Sequence, residues 1–159
     1  MLNIIIGALL IMLSMTDQSL ARGDDPNNEA VKLLGELKTH GQEFSGHTES
    51  LTEFIAQTPD IIEISLPPMA VLRQSAADIV RRSTTALTVP IEPAAIQFAL
   101  TMIKVDVGLG RSSLTRLKLV LLDRPITAEA RTEIASIQAV LDVMYRKLGG
   151  PNDTHGVRK

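Results

Sequence analysis

Apolar residues between positions 100 and 121 recur at alternating intervals of three and four, which is the spacing of one stripe along an α-helix. The stripe consists of Leu100, Ile103, Val107, Gly110, Leu114, Leu117 and Leu121. A helix with such a seam must bury it against other helices. The same stretch carries Lys, Arg and Asp side chains, which exclude a membrane span because each is costly in hydrocarbon. This stretch therefore predicts an all-α protein.

Similar stripes recur in the chain and predict an antiparallel up-down-up-down four-helix bundle over residues 29–149. Prolines and helix-capping residues mark the predicted ends. The predicted helices cover residues 29–57, 68–87, 93–122 and 128–148. Pro67 and Pro68 are expected to start the second helix, because the fixed φ of proline suits a first turn. Segment 60–66 is either a helical turn or an extended connector.

The two ends of the chain have the composition of segments outside the bundle. An apolar run from Ile4 to Leu13, followed by small residues, is typical of a signal peptide cleaved after Ala21, and a signal anchor is the alternative. We therefore expect a secreted protein, extracellular or periplasmic if bacterial, with a polar leader at 22–28. The polar tail at 150–159 is expected to be disordered and contains a glycosylation sequon at Asn152, which matters only in a eukaryote.

Composition excludes several classes of partner and of stabilising bond. The chain has no cysteine, so its apolar core alone must hold the fold. A net charge of −2 argues against nucleic acid, which needs a concentrated basic surface. The sequence also lacks a pattern that pairs a nucleophile, a base and an orienting group, so we expect no enzymatic activity and no cofactor.

One cluster of metal-ligand types lies on the first predicted helix. Glu36, His40, Glu43 and His47 are spaced four, three and four apart, which places them on one helix face. His40, Glu43 and His47 are therefore candidate ligands for Zn or Cu. The alternative, which we favour, is a half-buried flank of the bundle, because a single helix seldom completes a coordination shell.

The third predicted helix carries two further lines beside its seam. Lys104, Arg111 and Lys118 are seven residues apart, so they form one basic line, which we expect to be a solvated edge. A second apolar strip consists of Met102, Val105, Leu109 and Val120. It predicts an exposed face that binds a protein partner or a second copy. The alternative function is a carrier of a fatty acid or another small apolar ligand between helices, because the core is aliphatic and several helix positions are glycine.

The order of features from "LTVPIEPAAIQFALTMIKVDVGLGRSSLTRLKLVLL" to "RPITAEARTEIASIQAVLDVMYRKL" resembles the fungal hydrophobic-surface-binding and cell-wall mannoprotein family. The resemblance lies in helix order and in a proline before a final amphipathic helix that ends near Tyr145. It implies a secreted, cysteine-free helical protein associated with apolar surfaces or lipids. The chain departs from that family in its lower alanine content, its basic third helix and its glycine-spaced first helix, and no functional residue is carried over.

Overall fold

The computed structural model describes residues 26–88 and 92–150, and these residues form four α-helices without a strand. The helices are α1 (Pro26–Ala56), α2 (Pro59–Thr88), α3 (Pro93–Leu121) and α4 (Ala128–Lys147). The all-α prediction is confirmed. The predicted signal peptide, the start of the polar leader and the tail with Asn152 lie outside the described residues. Residues 26–28, predicted as part of the leader, belong instead to α1.

The helices pack in the order of the chain around a square. Helix α2 packs against α1 and α3, α4 packs against α3 and α1, and no Cα atoms of α2 and α4 lie within 8 Å of each other in the described ranges. Cross-helix bonds give the directions of α1 and α4, because Glu36 bonds to Lys147 whereas His47 bonds to Glu133. These bonds join the start of one helix to the end of the other. The predicted antiparallel four-helix bundle is therefore confirmed.

The predicted seams of α1 and α3 form most of the core. All seven α1 positions with the three-four spacing are buried: Leu34, Leu37, Gly41, Phe44, Thr48, Leu51 and Ile55. On α3 every seam position except the half-buried Leu100 is also buried. Glycine allows close helix approach at two of these positions. A Cβ on Gly41 would lie 2.8 Å from Cγ2 of Ile79, and one on Gly110 would lie 3.1 Å from Cδ2 of Leu141.

Helix α2 differs from its prediction at its start. It begins at Pro59 and continues through Pro67 and Pro68, so segment 60–66 is helical and the two prolines do not start the helix. Prolines inside a helix remove two backbone donors and disfavour the preceding turn. The helix persists because Ile61, Ser65 and Pro68 are all buried on the face that the later core residues continue. Burial of that face offsets the loss of local hydrogen bonds.

The ends of α4 follow the sequence signals. Thr127 caps its start by accepting a hydrogen bond from the Ala130 amide at 3.2 Å, and Glu129 lies in the first turn. Gly149, just beyond the end, has a φ of 74°, the left-handed conformation in which a glycine commonly ends a helix. Among the described helices, none combines the length and apolar content needed to cross a membrane.

Candidate functional site

Helix α3 exposes a line of large apolar side chains to water. Val105, Leu109 and Val120 are 50%, 49% and 36% exposed, and Met102 is half-buried. Phe98, which the sequence interpretation did not include, is 65% exposed. The exposure that an interaction face requires is therefore present, whereas binding by this face stays a prediction.

The spacing of these residues places them on one side of α3. Phe98, Met102, Val105 and Leu109 are separated by four, three and four residues, and Val120 falls within about 40° of the same direction at 100° per residue. We call these five residues the α3 strip. Phe98 extends the spacing by one turn towards the N-terminus, and this was the signal that could have identified it.

Charges that point outward from α3 are all positive. Lys104, Arg116 and Lys118 are exposed. Within the described ranges neither Lys104 nor Arg116 has a hydrogen bond or an ion pair, and Lys118 donates to Oε1 of Gln138 at 2.9 Å. The one acidic residue of α3, Asp106, is only 5% exposed and faces α2. A partner that covers the α3 side of Phe98 and Leu109 would therefore meet one cation there, Arg116, which has the same direction around the helix at 100° per residue.

Arg82 and Asp106 join α2 to α3 by a partly buried ion pair. Nε of Arg82 donates to Oδ2 of Asp106 at 2.8 Å, with side-chain exposures of 20% and 7%. Burial raises the pKa of Asp106 above its usual value, against the opposing effect of the Arg82 hydrogen bond and charge. The nearby Asp78 has a pKa held below its usual value, first by a hydrogen bond from Gln74 and then by one from Arg81.

One apolar pocket of about 230 Å³ lies between α2 and α3, and Arg82 of this ion pair lines it. Its lining includes Ala86 from α2 and Ala95, Phe98 and Ala99 from α3. Arg81 and Arg82 also line it. Phe98 therefore belongs both to the pocket and to the α3 strip, so the pocket adjoins the N-terminal end of the strip.

The structure does not bring the three candidate metal ligands together. Nδ1 of His40 lies 2.9 Å from Oε2 of Glu43, whereas Nδ1 of His47 lies 2.7 Å from Oε2 of Glu133 on α4. No group of three or more His, Cys, Asp or Glu side chains in the described part of the chain is placed to hold a metal ion. A shared helix face therefore does not bring His40, Glu43 and His47 together as metal ligands, because each histidine contacts a different carboxylate.

The α1–α4 boundary is instead a line of polar contacts, which extends to the ion pair between Lys147 and Glu36 at 2.6 Å. The hydrogen bond from Lys147 holds the pKa of Glu36 below its usual value. These pairs occupy the polar groups of the face on which a metal was considered. This boundary therefore has the character of the half-buried bundle flank that the sequence interpretation favoured.

The basic line of α3 is partly tied to α4. Nε of Arg111 lies 3.3 Å from Oδ1 of Asp142, and the guanidinium carbon lies 4.0 Å from the centre of the Tyr145 ring. With the Lys118–Gln138 bond, these contacts place two of the three basic residues against α4. The line is thus an edge of the bundle, and it lies on a different side of α3 from the strip.

Comparisons of this chain with models of protein families, with curated proteins and with solved structures found no match. The resemblance to the fungal hydrophobic-surface-binding and mannoprotein family therefore stays a prediction. The features of this chain that could bind a partner or a ligand are the α3 strip and the pocket lined by Arg81 and Arg82.

Proposed function

We propose that this chain is a secreted, non-enzymatic helical binding protein whose α3 strip binds an acidic amphipathic helix of a partner protein. The observation that carries the proposal is the exposure of an apolar line on α3 in addition to its buried seam. Single exposed apolar residues are ordinary on protein surfaces, but a line with three-four spacing is the geometry that a second helix packs against.

The size of the strip indicates a modest affinity. From Phe98 to Val120 it is about 33 Å long, and with a width of about 10 Å it offers roughly 300 Å². Stable complexes bury about 800 Å² on each partner, so a helix bound to the strip alone should dissociate readily. We expect a dissociation constant in the micromolar range.

The charge around the strip favours an acidic partner. Arg116 lies in line with Phe98 and Leu109 around the helix, and its guanidinium has no partner in the described ranges. Carboxylates on a docked helix would face it, whereas a second copy of the α3 strip would bring another arginine and no carboxylate to this face. The proposal therefore assigns the strip to a different protein.

Two designed helical peptides test this assignment, one with glutamates and one with lysines flanking the same leucine heptads. The glutamate peptide should bind by fluorescence anisotropy, more weakly at high salt, and the lysine peptide should bind at least tenfold more weakly. Leu109→Ser should reduce binding of the glutamate peptide about tenfold. Leu66→Ser is the matched control, because Leu66 is a 59% exposed leucine on α2, and it should leave binding unchanged.

Three results would contradict the proposal. Equal binding of the two peptides would contradict the preference for an acidic partner. Equal losses of peptide binding in Leu109→Ser and Leu66→Ser would show that the strip is not the binding site. Sedimentation analysis of the protein alone gives the third. A dimer that is lost in Leu109→Ser would assign the strip to a second copy of the chain.

Secretion is supported by the apolar run from Ile4 to Leu13 and the small residues that follow it. Expression of the full chain with its own leader should release a protein whose mass corresponds to a first residue of Arg22. A full-length mass in the membrane fraction would indicate the signal anchor instead.

A second candidate function is a carrier of a small apolar ligand between helices. The pocket between α2 and α3 favours it, because alanine side chains and one aromatic ring form much of its lining. A volume of about 230 Å³ is below the range of about 300–1,000 Å³ of drug-sized sites, which argues for a small molecule over a long fatty-acid chain.

A further inference from the structure

The pocket between α2 and α3 combines an apolar lining with cationic donors. Ala86, Ala95 and Ala99 contribute only methyl groups, and the Phe98 ring provides an aromatic surface that is 65% exposed. Methyl groups leave an unobstructed surface for a flat molecule, and an exposed ring gains most when a second apolar group covers it. The apolar part of the pocket therefore favours a small planar ligand.

The two arginines of the pocket retain unused hydrogen-bond donors. Arg82 uses its Nε for Asp106, and its terminal nitrogens bond to no group in the described ranges. Arg81 uses Nε and Nη2 for Oδ1 of Asp78, which leaves Nη1 without a described partner. A guanidinium has five N–H donors arranged as a planar fork, so each arginine has donors left to bind an acceptor. Their geometry suits a carboxylate.

We propose that this pocket binds a small aromatic monocarboxylate, with its ring over the alanines and Phe98 and its carboxylate on Arg82. This inference rests on the second candidate function above and names the ligand class of that site. Asp78 and Asp106 balance the charge of the two arginines, so the carboxylate gains from directed hydrogen bonds rather than from an excess of positive charge. At roughly 30 Å³ for each water displaced, about 230 Å³ corresponds to about eight waters, which suits a ligand near the size of benzoate or phenylacetate, with nine and ten non-hydrogen atoms.

Isothermal titration calorimetry with phenylacetate on the mature protein tests the proposal. Small ligands of this size reach dissociation constants between about 10 µM and 1 mM. Three probes of similar size separate the contributions of ring and head group. Octanoate keeps the carboxylate without the ring, 2-phenylethanol keeps the ring without the charge, and phenethylamine reverses the charge. Each should bind at least fivefold more weakly than phenylacetate.

Variants connect that binding to the pocket. Ala95→Leu adds a side chain to the pocket lining at an exposed position, so the protein should fold and bind phenylacetate at least tenfold more weakly. Gln97→Leu is the matched control, because Gln97 is exposed on the same helix but does not line the pocket, and it should bind as the wild type does. Arg82→Lys keeps a cation beside Asp106 but removes the planar fork, and it should also weaken binding at least tenfold.

The outcomes separate the ligand class from the existence of the site. Binding of 2-phenylethanol or octanoate as tight as that of phenylacetate, but lost in Ala95→Leu, would overturn the aromatic carboxylate while the carrier function stands. Unchanged phenylacetate binding in Ala95→Leu, or no binding of any probe at 1 mM, would overturn both the pocket and the carrier function. Either result leaves the peptide experiments on the α3 strip unaffected.

Discussion

Replacement of Arg82 by methionine should destabilise the protein in a way that depends on pH. The substitution leaves the Asp106 carboxylate, 7% exposed, without the guanidinium that donates to it at 2.8 Å. Loss of one partner from a buried pair costs about 3 to 5 kcal/mol. Because the Arg82 side chain retains 20% exposure, water offsets part of that loss, and we expect about 3 kcal/mol at pH 7.

The pH dependence follows from the pKa of Asp106. Burial raises this pKa in the folded protein, and the Arg82 hydrogen bond and charge are its main opposing causes. An acid with a raised folded-state pKa contributes stability that is present below its unfolded pKa and lost as the pH rises through the folded value. Without Arg82 the folded pKa rises further. The deficit of Arg82→Met should therefore be largest at pH 7 and shrink towards pH 4.

Urea unfolding at pH 7 and pH 4 measures both effects. Arg81→Met is the matched control, because Arg81 is 62% exposed and its pair with Asp78 should contribute only about 0 to 1 kcal/mol. Replacing both partners, as Arg82→Met with Asp106→Leu, should recover most of the lost stability, because an apolar pair replaces a buried ionic one. Equal losses for the two arginine variants, or a deficit at Arg82 that does not change with pH, would refute this account of the ion pair.

Other substitutions test the packing of the bundle. Gly41→Ala should destabilise the protein by about 1 to 3 kcal/mol, because its Cβ would lie 2.8 Å from a methyl carbon of α2. Gly46→Ala should stabilise α1 by up to about 1 kcal/mol, because no atom of another described helix would lie within 4 Å of its Cβ, and thermal unfolding compares the two variants. Ser83→Ala should raise the urea midpoint, because the buried Ser83 hydroxyl has no hydrogen-bond partner among the residues that the structure describes; a lower midpoint would contradict this. Leu114→Ala should cost about 2 to 5 kcal/mol in urea unfolding because Leu114 is 0% exposed, and Arg111→Ala about 1 kcal/mol or less; equal losses would mean that the seam is misplaced.

The sequence predicted which face of a helix is buried, because this feature depends only on residue spacing within that helix. The spacing of Leu34, Phe44 and Leu51 identified the buried side of α1 because burial repeats with the helical period. The predicted start of α2 was wrong, because the prediction considered only neighbouring residues. Pro67 and Pro68 favour a helix start when only the neighbouring residues are considered, and their retention inside α2 depends on burial of Ile61 and Ser65 against other helices.

The contacts of the candidate site were harder to predict than the buried helix faces, because they depend on how the helices are rotated against each other. The pairing of His47 with Glu133 and of Arg82 with Asp106 joins residues that are far apart in the sequence. Helical spacing places a side chain on a face but does not say which residue of another helix it meets. The α3 strip was predictable because exposure follows from the periodicity of one helix. The pocket beside it was not, because α2 and α3 both line it.

A substitution in the exposed α3 strip should affect binding more than it affects the stability of the fold. Leu109 and Val105 are each about half exposed in the folded protein, so the apolar area that each buries contributes about 1 kcal/mol, less than that of a core side chain. The other faces of α3 differ, because its seam is buried, Asp106 bonds to Arg82, and Arg111 contacts α4. Replacement of Leu109 by serine should therefore lower the free energy of unfolding by only about 1 kcal/mol while it weakens binding of the acidic peptide. A loss of stability as large as that of Leu114→Ala would show that the strip belongs to the core, and it would remove the reason to assign it a partner.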